Sequence, residues 1–247
     1  MPTPATHTAP PATGPQKKSS KGQEALLAAA VSLFAELGLK GTSARLLSGQ
    51  AGVNIAAISY HFGGKEGLYR AVLAHITKEV TSRMAPVWLQ AESALAQCSS
   101  TPHGKAQALA ALHGMMMGFA AFFLEETRVH DWGRIILREQ IDPSPAFSIL
   151  YEGYMQRVLT LLAGLVACCT GANAEDESVR VRVHLLLGQV LGIFAGREAL
   201  LRSLAVTALS TAHKDLIYNL LWAHTQAALN VHGATLPTQA APCNQAE

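Results

Sequence analysis

The chain has 247 residues, 49% of them hydrophobic and 6% aromatic, with four cysteines and a net charge of +2. Such a chain can bury one large core, or one small and one larger core, and it is not collagen-like, low-complexity or a disulfide framework. The small net charge hides an asymmetry: residues 1–83 carry nine Lys and Arg against four Asp and Glu, a net of +5, whereas residues 84–247 carry ten against thirteen, a net of −3. A basic N-terminal part suits a polyanionic partner, with affinity that falls steeply as salt rises.

Residues 1–16 are rich in Pro, Thr and Ala without a Lys, Arg, Asp or Glu, and they lack the basic start and apolar run of a secretory signal. A disordered tail is expected over 1–19. Lys17, Lys18 and Lys21 follow at once, either as an arm toward a polyanion or as a solubilising tail. Helical periodicity begins in GQEALLAAAVSLFAELG, and no later segment alternates as a strand, so the chain reads as all-α.

The most informative stretch is TSARLLSGQAGVNIAAISYHFGGK, residues 42–65. Ser43 can cap a short helix that turns Leu47 and Ala51 inward, Gly52 supplies a permissive turn, and Asn54 can cap a second short helix. Val53, Ile58 and Phe62 would fix both helices to a small core. That leaves Ile55, Ala56, Ala57, Ser59, Tyr60 and His61 on the outer surface of the second helix. Small residues near its start let a backbone approach base edges in the major groove and touch thymine methyl groups. Tyr60, His61 and Lys65 suit phosphate oxygens. The plain alternative is an Ala-rich amphipathic helix that only packs.

Beyond this unit the pattern predicts a helix over 65–84, a segment over 87–98, a long helix over 105–126 and a shorter one over 131–141. In IDPSP, Pro143 ends one helix while Ser144 and Pro145 open the next, which should run to about Cys169. Two more are expected, over 175–205 and 208–231, followed by a loose tail over 233–247. Residues 106–124 carry no charge over nineteen positions, close to a membrane span. Gln107, His113 and several Ala and Gly lower the hydrophobicity, and no loop charge bias sets an orientation, so a buried bundle helix is expected and no membrane partner. Met115, Met116, Met117, Phe119, Phe122 and Phe123 on it are core residues that also suit an apolar ligand pocket.

Cys98, Cys168, Cys169 and Cys243 show no CxxC or framework spacing and read as reduced thiols of a cytoplasmic protein. A redox or soft-metal sensor at the vicinal Cys168 and Cys169 is the alternative. Gly188, Gly192 and Gly196 recur every four residues, a smooth ridge for a close helix crossing within the subunit or between subunits. There is no GxSxG, GxGxxG, phosphate loop or HExxH, and no two histidines sit at i, i+4 beside a carboxylate. No catalytic residue, metal ligand or cofactor is therefore expected.

The run from about Lys21 to Ala74 resembles the N-terminal domain of TetR-family transcriptional regulators, through its first helix, GTSAR, the AGVN turn and YHFGGKE. Ser48, Ser59 and Gly64 depart from the usual pattern. The resemblance implies a helix-turn-helix DNA-binding domain over 20–80 whose DNA contacts come from Thr42, Ser43, Arg45, Asn54, Ile55, Ala56, Ala57, Ser59, Tyr60, His61 and Lys65. The run LREQIDPSPAF and the later RVHLLLGQVLGIFAGREALLR resemble the C-terminal domain of CecR-like members. That implies a ligand-binding and dimerisation domain over 81–232, with pocket candidates His113, Met117, Phe123, Trp132, Arg134, Tyr151 and Tyr154. Interface candidates are Gly188, Gly192, Gly196, Leu220 and His224. The expected protein is a cytoplasmic homodimer that represses from an inverted-repeat operator on double-stranded DNA and is released by a small-molecule effector. The rival is a helical ligand-binding or sequestering protein without specific DNA binding.

Overall fold

The computed structural model describes residues 16–99, 101–124 and 129–229, and every regular element among them is helical. The tails expected over 1–19 and 233–247 lie outside the described residues, except that helix α1 (Gln16–Gly41) already begins at Gln16, inside the expected N-terminal tail. Two compact units divide between Val72 and Leu73, inside helix α4 (Lys65–Ala96), rather than at 80/81.

The N-terminal unit contains α1, broken at Gly38, then α2 (Ala44–Ala51), α3 (Ala56–Phe62) and the first turns of α4. Both short helices pack on α1. Leu26, Phe34, Leu47, Ile58 and Leu68 are buried together, and Phe34 meets Tyr69 edge to face at 4.9 Å. Fully burying each such side chain contributes roughly 1.5–3 kcal/mol, which is how helices of seven and eight residues, too short to persist alone, are held.

The C-terminal unit comprises the rest of α4, α5 (Pro102–Leu124), α6 (Val129–Ile141), α7 (Ser148–Leu150), a wide π-helical turn (Tyr151–Met155), α8 (Gln156–Thr170), α9 (Glu177–Ala195), α10 (Arg197–Ser203) and α11 (Thr211–Ala228). Helix α5, uncharged from residue 106 onward, packs against α6, α8, α9 and α11. Along with α1, the helical stretch 148–170 and α9, it is long and apolar enough to cross a membrane. Its Leu112, Met116 and Phe123 are nonetheless buried inside the bundle.

Several elements differ from expectation for identifiable reasons. Pro86 does not end a helix: α4 runs through it, because Val80, Met84, Trp88 and Ala91 lie on one buried face and their packing outweighs the lost backbone donor. Ser144 does not start an α-helix at Pro145. Its amide and hydroxyl both donate to the buried Glu139 carboxylate at 3.1 Å, its Oγ accepts from the Ala146 amide, and α7 begins only at Ser148. The helix expected over 175–205 is interrupted at Gly196 (φ −89°, ψ 13°), so Gly196 terminates α9 and the smooth ridge contains only Gly188 and Gly192.

The cysteines require a correction. Cys98, just after α4, and Cys168, in α8, form a disulfide with Cα atoms 6.2 Å apart, and Cys169 is a free, buried thiol. The bridge closes 70 residues of chain and ties the end of α4 to α8. Burial pushes the Cys169 thiol up to about 11, against the opposing pull of Lys105. It is protonated at neutral pH and a poor thiolate ligand, which argues against the vicinal pair as a soft-metal sensor.

Candidate nucleic-acid interface and ligand cavity

Residues 42–65 form two helices joined by a tight turn. Ser43 has extended dihedrals (φ −99°, ψ 154°), and its hydroxyl oxygen accepts from the Leu46 amide at 3.2 Å, capping α2. Gly52 closes α2 in the left-handed region (φ 65°), and its amide donates to the Gly49 and Ser48 carbonyls. Asn54 Oδ1 accepts from the Ala56 amide at 2.9 Å while Ile55 is already helical, so Asn54 serves as the cap of α3. Gly64 (φ 117°) holds a turn that a side chain would strain.

The outer surface that results is unusually apolar. Tyr60 is 82% exposed, Ile55 51% and Leu46 48%. Ala56 and Ser59 are exposed, whereas Ala57 and His61 are half-buried. Tyr60 rests edge to face on His61 at 4.9 Å. Arg45 is exposed on α2 beside this surface. Large apolar side chains left in water on a small basic unit mark a surface that a partner covers.

Two expected DNA contacts need revision. Thr42 is 1% exposed, and its hydroxyl donates inward to the Gly38 carbonyl at 2.7 Å and the Leu33 carbonyl at 3.3 Å, so it secures the end of α1 instead of meeting DNA. The Lys65 ammonium donates to the Leu39 carbonyl at 2.9 Å. One of its three donors is therefore used inside the protein, and it braces α4 against the end of α1.

In the C-terminal unit, α4, α5, α6, the π-helical turn, α8 and α9 line a partly open cavity of about 190 Å³. Its wall includes Met84, Trp88, Met115, Phe119, Phe122, Phe123, Tyr151, Tyr154 and Met155, with Gln140 and His184 as further polar groups. Of the seven expected pocket residues, Phe123, Tyr151 and Tyr154 line it, and burial holds the Tyr154 hydroxyl well above its ordinary range, so it is neutral. The other four do not. His113 packs edge to face on Trp222 at 4.6 Å, where burial holds its imidazole below the usual range. Trp132 is buried against His75 and Phe122 with the Arg83 guanidinium over its ring at 4.8 Å, Met117 is half-buried away from the cavity, and Arg134 is exposed. Sequence reasoning missed Trp88, whose side chain is fully buried. The detectable signal was the 80, 84, 88, 91 spacing across Pro86.

The expected interface residues Gly188, Gly192, Leu220 and His224 are all exposed, and nothing lies within 4 Å of a Cβ added at either glycine. Among the described residues, no group of three or more His, Cys, Asp or Glu gathers in metal-binding geometry.

A helix-turn-helix with an uncovered second helix, on a chain whose other unit holds a largely apolar cavity, defines a DNA-binding transcriptional regulator. The chain matches the bacterial regulatory proteins of the tetR family over residues 26–72 and the C-terminal domain of the HTH-type transcriptional dual regulator CecR over residues 108–231. It belongs to the TetR family, with a CecR-type C-terminal domain. The HTH-type transcriptional dual regulator CecR of Shigella flexneri is 30% identical over 84% of this chain and 91% of its own length. An HTH-type transcriptional repressor of Mycobacterium tuberculosis is 33% identical over 45% of this chain and 59% of its own. Among solved structures, the hemolysin II transcriptional regulator HlyIIR has a TM-score of 0.56 at 22% identity, over 83% of this chain and 97% of that one. A SmeT–triclosan complex has a TM-score of 0.52 at 19% identity, over 84% and 90%. At those identities the two structures share the fold.

Proposed function

We propose that the protein is a cytoplasmic, homodimeric repressor that binds an inverted-repeat operator and leaves it when a small molecule fills the C-terminal cavity. The observation that carries this reading is the largely apolar cavity, because three of its wall residues, Val80, Met84 and Trp88, lie on α4, the helix that begins at Lys65 beside the helix-turn-helix. A ligand that repositions α4 changes the separation of two recognition helices in a dimer. To swing operator occupancy from nearly full to nearly empty, it must favour the released state by roughly 5.5 kcal/mol. SmeT, in its complex with triclosan, is a precedent on this fold for a small apolar ligand.

The dimer is supported by an apolar stripe with no cover within the subunit: Val181 and Leu185 on α9 are 58% and 67% exposed, and Leu216 and Leu220 on α11 are 53% and 49%. The open Gly188 and Gly192 lie on α9 as well, where a partner helix approaches closely. Covering such a stripe with a second copy also explains why α9 is apolar enough to resemble a membrane span. Ala56, Ala57, Ser59, Tyr60, His61, Ile55 and Asn54 of the recognition helix, with Ser43 and Arg45 of α2, are the proposed DNA surface; Lys65 adds its remaining donors at the phosphates.

The test is fluorescence anisotropy with duplexes tiled across the DNA upstream of the protein's own gene, with and without candidate small apolar molecules. Tight, salt-sensitive binding to one duplex, lost on adding a molecule that also binds the C-terminal unit, is the expected result. Equal binding to every duplex leaves only the sequestering alternative.

A further inference from the structure

The Cys98–Cys168 bridge joins an exposed sulfur to a buried one. Cys98 is exposed just beyond α4, whereas Cys168 is buried in α8, and their Cα atoms are 6.2 Å apart. An accessible cysteine beside a resolving partner is the arrangement of thiols that are oxidised and reduced reversibly. Lys105 is near enough to act electrostatically on the adjacent Cys169, so a positive charge that favours thiolate stands beside this group of sulfurs. Cys169 itself is buried and protonated, so it does not attack the bridge and the pairing stays between Cys98 and Cys168. A transcriptional regulator works beside the DNA, where cellular thiols keep cysteines reduced, and a disulfide in that compartment is usually one that forms and breaks in sensing or catalysis.

The bridge is also the firmest tie at its end of α4. Beyond Trp88 the helix buries only two small side chains, Ala91 and Ala94. Leu95 packs where Gly164 leaves room on α8, since a Cβ there would lie 2.9 Å from its Cδ2. The Arg157–Glu92 pair, at 2.7 Å, is nearly half exposed, and such pairs contribute little. The Gln107 amide donates to Gln97 at 3.4 Å, also in an exposed position. Opening the bridge therefore loosens the end of the helix whose other end begins beside the helix-turn-helix.

We propose that Cys98 and Cys168 form a reversible thiol–disulfide switch, closed by a hydroperoxide and opened by a cellular thiol, whose closed form holds the end of α4 and is the operator-binding form. The operator clause rests on the repressor reading above; the hold on α4 does not. In closing, the Cys98 thiolate attacks the peroxide O–O bond, the alkoxide leaves and is protonated to the alcohol, and Cys98 becomes a sulfenic acid. The Cys168 sulfur then attacks the Cys98 Sγ, and the hydroxyl departs with the Cys168 proton as water. In opening, one thiolate attacks the exposed Cys98 sulfur and expels Cys168, which takes a proton. A second thiol resolves the mixed disulfide, so two small thiols become one small disulfide as both cysteines are reduced. With α4 loosened, a smaller fraction of molecules is competent for the operator, and the apparent affinity falls by that fraction.

The test uses the native full-length protein in buffers of reduced and oxidised glutathione, quenched with acid, alkylated and analysed by intact and peptide mass spectrometry. The bridge should open without denaturant, and hydrogen peroxide should re-form the same intrachain pair. Hydrogen exchange at the amides of residues 91–98 should accelerate several-fold on reduction, while that of α1 stays unchanged. Cys98→Ser, at an exposed position, should exchange as the reduced protein does and ignore peroxide, whereas Cys169→Ala should respond as the wild type does. Affinity for the preferred duplex should fall at least about five-fold on reduction and return with peroxide, and by reciprocity that duplex should shift the glutathione equilibrium toward the disulfide by the same factor. A bridge that resists glutathione in the native protein, peroxide that leaves the thiols unpaired or links two chains, α4 exchange indifferent to redox state, or operator affinity equal or higher after reduction would overturn the proposal. Reversible opening that loosens α4, in a protein that prefers no duplex in either state, removes the repressor reading and keeps the switch.

Discussion

Breaking the Cys98–Cys168 disulfide should destabilise the protein by an amount that follows from its place in the chain. The bridge closes a 70-residue loop, for which the chain-entropy relation gives a loss of about 15 cal/mol/K from the unfolded ensemble, or roughly 4.4 kcal/mol at 25 °C. For a unit of this size each kcal/mol moves the melting temperature by about 2–4 °C, so reduction should lower it by roughly 9–18 °C. The assay is thermal unfolding followed by circular dichroism, with and without a phosphine reductant. A Cys98→Ser, Cys168→Ser double variant should melt at the lower temperature and ignore the reductant. Thiol titration of the denatured chain should count two more groups after reduction than before it, with all four cysteines reactive after reduction. Four thiols before reduction, or a melting temperature indifferent to reductant, would refute the reasoning.

Four further outcomes are expected. Ile58→Ala, at a position 2% exposed that holds the recognition helix to its core, should cost about 2–5 kcal/mol in urea unfolding and abolish tight operator binding. Thr42→Val should cost about 1 kcal/mol by removing the hydroxyl bonded to the Gly38 carbonyl, with no change in the ratio of cognate to random DNA affinity; an altered ratio would restore Thr42 to the DNA surface. Gly192→Leu should shift sedimentation toward monomer, and an unchanged dimer would place the interface elsewhere. His113 is neutral in the fold because burial lowers its proton affinity, so the unfolded chain takes up a proton first as pH falls. Stability is therefore full above about pH 6.5 and declines below it. Urea midpoints at pH 7.5 and 5.5 should differ more for the wild type than for His113→Phe, which keeps a ring against Trp222.

The helix-turn-helix is legible because its determinants are local: Ser43, Gly52 and Asn54 act within four residues of where they stand, through caps and a left-handed turn. Thr42 was misplaced because its hydroxyl bonds to carbonyls four and nine residues back, at the break of α1, which no short motif encodes. The cavity was half legible. The aromatic stretch of α5 and the tyrosines near 151–154 stood out, but Tyr151 and Tyr154 reach the wall through a π-helical turn that 3.6-residue periodicity does not predict. Trp88 was hidden because Pro86 carries a strong local stop signal, overridden by burial on both sides of it. The Cys98–Cys168 pair joins residues 70 apart and had no sequence signature at all.

The central claim, that residues 43–65 read operator DNA as a symmetric pair, is tested most directly by selecting duplexes from a random pool with the full-length protein and sequencing them. The account predicts one enriched inverted repeat whose half-sites lie about 34–36 Å apart, or a multiple of that spacing, with the enrichment relaxed by Arg45→Ala. A pool that shows no enriched sequence, or a single half-site without its symmetry mate, would contradict it.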